Sequence, residues 1–299
     1  MADPTSTPQP FTIHDGLALY RLGAGAPILL MPWPHGASLV GDPTPDAIIA
    51  GLNRLGRQVI TFDPPETGRS TRPKRMSIAE MLDCAEEALD ICSPPAAGQR
   101  AGPVDVIGHS QGGFTALAFA VERPARVRRL VLVGAGAGFR AFMNAPGAIW
   151  NRSHPAFWRF GLLGALYRLL PTLAAQRHML NLVKRVSFAD PRHFTPNRVT
   201  LRDWLRPQTP RNDWGIAVRD VDYGPRLTEV RAPTLVLVGA HDPQMPPACA
   251  EELAAGIRGA RLVTFAHSGH YPFIEEPAAF WDAVGDFLRA PPDPAQAPD

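Results

Sequence analysis

Residues 104 to 113 read VDVIGHSQGG, an apolar run that breaks at Ser110, with Gly108 two residues before it and Gly112 two residues after. A serine hydroxyl is a weak nucleophile until a general base takes its proton and a third group orients that base. The run before Ser110 reads as a strand and GFTALAFAV after it as a helix, the strand–turn–helix setting of a G-x-S-x-G nucleophile elbow. In so tight a turn a side chain at either glycine would clash, while the serine Oγ is pushed out above the sheet. The turn also sets Ser110 at a helix N-terminus, where free N–H groups and the helix dipole favour developing negative charge. The competing reading is a glycine-rich turn with an idle serine.

A base and its orienting acid belong at the C-terminal ends of other strands, where open α/β sheets keep their sites. Asp242 follows TLVLVGAH and His270 follows RLVTFAHSG, so the chain order is Ser, Asp, His, the order this elbow class uses. Other titratable residues fit less well. His109 leaves the turn in another direction and reads as packing. His267 lies nearer its strand body, and Asp63 ends a strand that precedes the serine, which suits a structural role. His241 reads as an exposed loop residue, and Asp220 and Asp222 as solvated charges. There is no H-E-x-x-H or other ligand cluster, so neither a metal nor an organic cofactor is expected. GAGAG at 134–138 follows a strand, but Phe139 stands where the third glycine of a dinucleotide loop belongs.

The elements that must position these residues are legible as short unbroken runs: APILLMPW, RQVITFD, VDVIG, RRLVLVGAG, APTLVLVGAHD and ARLVTFAHSGH. Runs without polar alternation suit strands buried on both faces of a parallel sheet. Helical segments such as SIAEMLDCAEEALDIC and PACAEELAAGIRG alternate with them, which implies βαβ crossovers and an α/β fold. FTIHDGLALYRLG reads as a leading β-hairpin. Between about 139 and 216 the pattern gives way to a helical, aromatic segment with no convincing strand. The expected organisation is a core over 11–138 and 217–290, a helical cap over 139–216, and flexible proline-rich tails at 1–10 and 291–299.

Composition sets outer bounds. With 299 residues, 45% hydrophobic and 19% charged, the chain suits a soluble globular protein. Three scattered cysteines (Cys84, Cys92, Cys249) make neither a disulfide framework nor a zinc site, and the N-terminus lacks the pattern of a signal peptide. A cytoplasmic protein with a small-molecule partner, no nucleic acid and no membrane span is expected; oligomeric state is not legible. The net charge of +2 is unevenly spread. Residues 140–215 hold 12 Lys and Arg against three Asp and no Glu, a local +9, and the remainder is 18 basic against 25 acidic, or −7. The aromatic stretch FWRFGLLGALYRLL suits lid helices facing a substrate pocket, with contact to a membrane surface as the alternative.

Through VIGHSQGG, FDPPETGRSTRP, LVLVGAHDPQMPP and SGHYPFIEEP the chain resembles an α/β-hydrolase over residues 11 to 290. In detail it is most similar to the capped group that holds proline iminopeptidases and related esterases. The resemblance implies a mostly parallel sheet flanked by helices with an inserted helical cap. It also implies Ser110 as nucleophile, His270 as base and Asp242 as its partner. One oxyanion donor would be the backbone N–H of Gln111. The second would come from MPWPHGAS, where the family shows His-Gly-x-Pro: aligning Pro34 gives Trp33, and matching His35-Gly36 gives Ala37. Glu66 stands where relatives carry glycine; a solvated surface glutamate and a substrate contact are both open.

Iminopeptidases bind a free amino group with cap carboxylates, yet this chain has no glutamate between residues 123 and 228. Only Asp190, Asp203 or Asp213 would be left for an ammonium group. The expected substrate is therefore a neutral or acidic ester, lactone or related acyl compound. A prolyl aminopeptidase, a cofactor-free haloperoxidase or perhydrolase, and a non-enzymatic binding relative are the alternatives.

Overall fold

The computed structural model describes residues 10–33, 43–94, 102–169, 173–196 and 214–291. The apolar runs form β3 (Ala26–Met31), β4 (Arg57–Phe62), β5 (Val104–His109), β6 (Val127–Val133), β7 (Thr234–Gly239) and β8 (Arg261–Phe265). Ahead of them β1 (Thr12–His14) and β2 (Leu17–Leu22) pair as the expected hairpin. Its turn residues Asp15 and Gly16 both take positive φ, 43° and 74°, the backbone twist that a two-residue hairpin favours.

All eight strands join one sheet in the order β1-β2-β4-β3-β5-β6-β7-β8. Only the pairings of β2 with β1 and with β4 are antiparallel; the rest of the sheet is parallel. The chain runs from β3 outward to β4 and then returns to the other side of β3 with β5. That reversal opens a crevice beyond the C-terminal ends of β3 and β5. Trp33 follows the first of these strands and Ser110 the second.

Alternation of side chains gives the sheet two apolar faces. Leu29, Met31, Ile60, Phe62 and Val106 pack with α2 (Ile78–Cys92, following α1 at Pro43–Arg54) and α3 (Gln111–Glu122). Ile28, Leu30, Val59 and Ile107 pack on the opposite face with Ile48 and Leu52 of α1. Residues Gly112 to Val121 of α3 are all buried, so the helix that follows Ser110 has its position fixed by packing along nearly its whole length. β8 departs from the expectation of burial on both faces. It is the edge strand, and Arg261 and Thr264 are exposed.

Between β6 and β7 the described residues hold helices and no strand: α4 (Phe139–Asn144), α5 (Phe157–Leu169), α6 (Leu173–Val186) and α7 (Trp214–Val218). Three apolar side chains of α5 are exposed among the described residues. Trp158, Leu162 and Leu169 are 72%, 73% and 78% exposed, while Phe160 turns inward against Trp150. Three further helices complete the described chain: α8 (Pro247–Gly256), α9 (Pro272–Glu275) and α10 (Pro277–Arg289).

Candidate active site

Ser110 holds φ 57° and ψ −124° between β5 and α3. A non-glycine residue in this region costs on the order of 1–3 kcal/mol and persists only where its surroundings impose it. Here the surroundings are explicit. The Ser110 N–H donates to the Val133 carbonyl at 2.8 Å, and its carbonyl accepts the Phe114 N–H at 3.1 Å. A Cβ on Gly108 would lie 2.2 Å from the Gly112 oxygen, and one on Gly112 would lie 2.5 Å from the Met31 oxygen. Both glycines are therefore required by backbone contact, the first to close the turn and the second to let α3 abut the end of β3.

Asp242 and His270 come together from the ends of β7 and β8. His270 Nδ1 lies 2.7 Å from Asp242 Oδ2, with both side chains buried. The other carboxylate oxygen, Oδ1, accepts the N–H groups of Gln244 at 2.8 Å and Met245 at 2.9 Å. The carboxylate therefore cannot swing away from the imidazole. Because Asp242 is an acceptor, the ring proton belongs on Nδ1, which leaves the Nε2 lone pair to take a proton. Gly134, at the end of β6, lies against this pair: a Cβ there would sit 3.1 Å from both Asp242 Oδ2 and His270 Nδ1.

The remaining sequence candidates separate cleanly. Asp63 is structural: its Oδ2 accepts the Tyr20 hydroxyl and the Arg69 N–H, each at 2.8 Å. His267 and His241 are exposed, as are Asp220 and Asp222. His109 packs as expected, in a nest of Trp33, His270, Tyr271 and Phe273 rings. Burial, with His270 beside it, holds its proton affinity well below that of an ordinary histidine. Glu66 is half-buried rather than solvated and takes φ 58°, the left-handed conformation that favours glycine.

On the oxyanion side, Gln111 opens α3, and Trp33 leaves β3 with its ring edge-on to His109, centroids 5.3 Å apart. The alternative donor Ala37 lies outside the described residues. Beside Gln111 is an apolar cavity walled by Phe114, Phe139, Phe142, Trp214 and Met245. Among the described residues, α4 and α7 of the insertion contribute to this apolar wall. Among the described residues no group of histidines, cysteines and carboxylates could hold a metal ion. No described helix is long and apolar enough to cross a membrane.

Sequence reasoning missed three residues around His270. Glu275 accepts the Gly269 N–H, Ser187 accepts the His270 N–H, and Gly134 fits beneath the Asp–His pair. Gly134 does carry a sequence signal, the GAGAG stretch, but that pattern points by itself to a dinucleotide loop and not to the Asp–His pair. Glu275 lies within SGHYPFIEEP, where nothing in the sequence alone separates it from Glu276.

An eight-stranded sheet with one antiparallel end, a serine elbow at its switch point and an Asp–His pair on later strands define the class of protein. Residues 34–277 match the family described as the alpha/beta hydrolase fold. The chain belongs to the α/β-hydrolase family and is a hydrolase. It is 30% identical to a 2-hydroxy-6-oxononadienedioate/2-hydroxy-6-oxononatrienedioate hydrolase of Cupriavidus pinatubonensis, over 93% of each chain. Among solved structures, an alpha/beta fold family hydrolase from Bacillus anthracis superposes with a TM-score of 0.75 at 21% identity, covering 92% of this chain and 96% of that one. A hydrolase from Pseudomonas aeruginosa gives 0.60 at 26% identity, covering 92% and 94%.

Proposed function

We propose that the protein is a serine hydrolase that cleaves a small, neutral or acidic ester, lactone or related acyl compound through an acyl-enzyme on Ser110. The observation that carries this reading is the buried 2.7 Å contact between His270 Nδ1 and Asp242 Oδ2, beyond the ends of β7 and β8 in the same parallel sheet whose β5 leads into the strained Ser110 turn. His270 Nε2 takes the Ser110 proton as Oγ attacks the substrate carbonyl. The resulting oxyanion is held by backbone N–H groups, those of Gln111 and Trp33 being the candidates; each such donor contributes about 3 kcal/mol to the transition state. The leaving group departs with the proton from His270. Water, deprotonated by the same imidazole, then attacks the acyl-enzyme, releases the acid and restores Ser110.

Residues 139–216 act in this reading as the cap over the crevice, with its apolar wall from α4 and α7 beside Gln111. Two observations support a substrate without a free amine. The insertion carries a local +9 and no glutamate. Of its three aspartates, Asp190 is engaged: the Arg192 side chain and N–H bond to it and hold its carboxyl down at about 2. Asp203 and Asp213 lie outside the described residues. The Cupriavidus relative is named for a dioate, a substrate with two carboxylates, which agrees with a basic cap.

The test is kcat/KM on a short-chain nitrophenyl ester and on a prolyl nitroanilide with a free amine, with Ser110→Ala as the blank. Faster ester turnover that is lost in the variant is the expected result. Faster turnover of the prolyl amide would replace this reading with an aminopeptidase. Activity on neither would redirect it to perhydrolase or binding chemistry.

A further inference from the structure

The side chain of Glu275 is fully buried although it is a carboxylate. Its partners explain how that is sustained. Oε1 accepts the backbone N–H groups of Ala189 at 2.8 Å and Asp190 at 3.1 Å, and Oε2 accepts the N–H of Gly269 at 2.7 Å. His193 Nδ1 stands 4.0 Å away. One carboxylate therefore bridges two separate chain segments: the stretch that leaves α6 of the insertion and the residue immediately before His270.

The same stretch reaches both loops of the Asp–His pair. The Ser187 carbonyl accepts the His270 N–H at 2.7 Å. The Ser187 hydroxyl accepts the side-chain N–H of Gln244 at 2.9 Å, two residues beyond Asp242, and donates to the Val183 carbonyl at 2.6 Å. A Cβ on Gly269 would lie 2.2 Å from the Ser187 oxygen, so the two backbones are in direct contact. A buried charge is costly unless every lone pair finds a donor. Such an investment in three backbone N–H groups is what fixes one segment against another.

We propose that Glu275 is a positioning residue that clamps residues 187–190, the stretch that follows α6 within the insertion, onto the His270 loop, so that this part of the insertion and the base are aligned as one unit. This inference rests on the Ser110–His270–Asp242 reading. A carboxylate is needed because all of its partners are donors. Glutamine at this position would set an NH2 group against either Gly269 or the Ala189–Asp190 pair. A misplacement of a catalytic group by an ångström costs about a hundredfold in rate.

Two measurements test it on the full chain. In Glu275→Gln, the rate of Ser110 modification by a small fluorophosphonate should fall about tenfold to a hundredfold, and kcat on a short nitrophenyl ester should fall with it, KM changing by less than about twofold. The downfield proton resonance of the His270–Asp242 hydrogen bond should also broaden or vanish in the variant. Modification at the wild-type rate, or an unaltered resonance with full kcat, overturns the proposal. Should Glu275→Gln fail to fold, Ser187→Ala removes the hydroxyl links to Gln244 and to the Val183 carbonyl and leaves the carbonyl on His270. It should slow modification about threefold to tenfold, and no slowing there overturns the clamp. Failure of the wild-type protein to be modified at Ser110 would refute the triad reading instead, so the two failures are distinct.

Discussion

His109 Nε2 donates to the His270 carbonyl at 2.8 Å, across the ends of β6 and β7. The residue before the proposed nucleophile thus holds the backbone of the proposed base. The carbonyl acceptor places a proton on Nε2, and burial beside His270 keeps the ring neutral. Nδ1 then carries a lone pair, and it has no partner among the described residues. Its role lies between packing and chemistry. It is a strut that sets the distance between the serine turn and the His270 loop.

Removal of that strut has a predictable effect on both stability and rate. His109→Ala should cost about 2 kcal/mol in urea unfolding, from the lost ring contacts and the unpaired carbonyl. It should also lower kcat about tenfold. His109→Gln, which keeps a donor, should recover part of both. An alanine variant with full activity would reduce His109 to filling.

The depressed proton affinity of His109 gives a pH signature with a definite sign. Unfolded, it titrates near 6.5; folded, burial and the neighbouring His270 push it well lower. Below about pH 6.5 the unfolded chain therefore binds the extra proton. Stability should fall as pH drops through that window, by up to about 1.4 kcal/mol per pH unit from this group. Urea midpoints of wild type and His109→Phe between pH 7.5 and 5 check it. The variant should lack this component of the decline, and parallel curves would show that His109 contributes nothing to it.

Gly134 takes φ 50° directly against the Asp242–His270 contact. Gly134→Ala places a methyl group 3.1 Å from both partners in a conformation that alanine disfavours. The expected result is a loss of about 1 kcal/mol in stability, with kcat down about tenfold or more on any ester. Steady-state kinetics alongside thermal unfolding would separate the two effects. A variant that loses stability but keeps kcat would show that the pair tolerates the displacement.

The three cysteines should be silent in the native protein. All are buried, and burial pushes Cys84 and Cys249 to about 12 and Cys92 to about 11. At pH 8 a thiol-specific disulfide reagent should detect none of them until denaturant is added, then all three. Rapid reaction of one native thiol would expose an opening that the fold does not contain.

What the sequence discloses here is what local chemistry dictates. Ser110 and its glycines are legible because a strand, a tight turn and a helix are consecutive in the chain. Asp242 and His270 are legible because each closes an apolar run. His109, Gly134 and Glu275 are not, since their roles depend on which strands end side by side, and no local pattern encodes the order β5-β6-β7-β8. The stripe of Trp158, Leu162 and Leu169 shows the same limit. Periodicity groups residues on a helix face, but the packing of Phe160 decides which way that face points.

The most direct test of the proposed triad is the reaction of the wild-type protein with a fluorophosphonate, followed by peptide mapping. The expected result is one stoichiometric adduct on Ser110, absent in Ser110→Ala and slowed at least about a thousandfold in His270→Ala. Ester hydrolysis by Ser110→Ala should fall by a similar factor. An adduct on another residue, or hydrolysis that survives Ser110→Ala, would contradict the account.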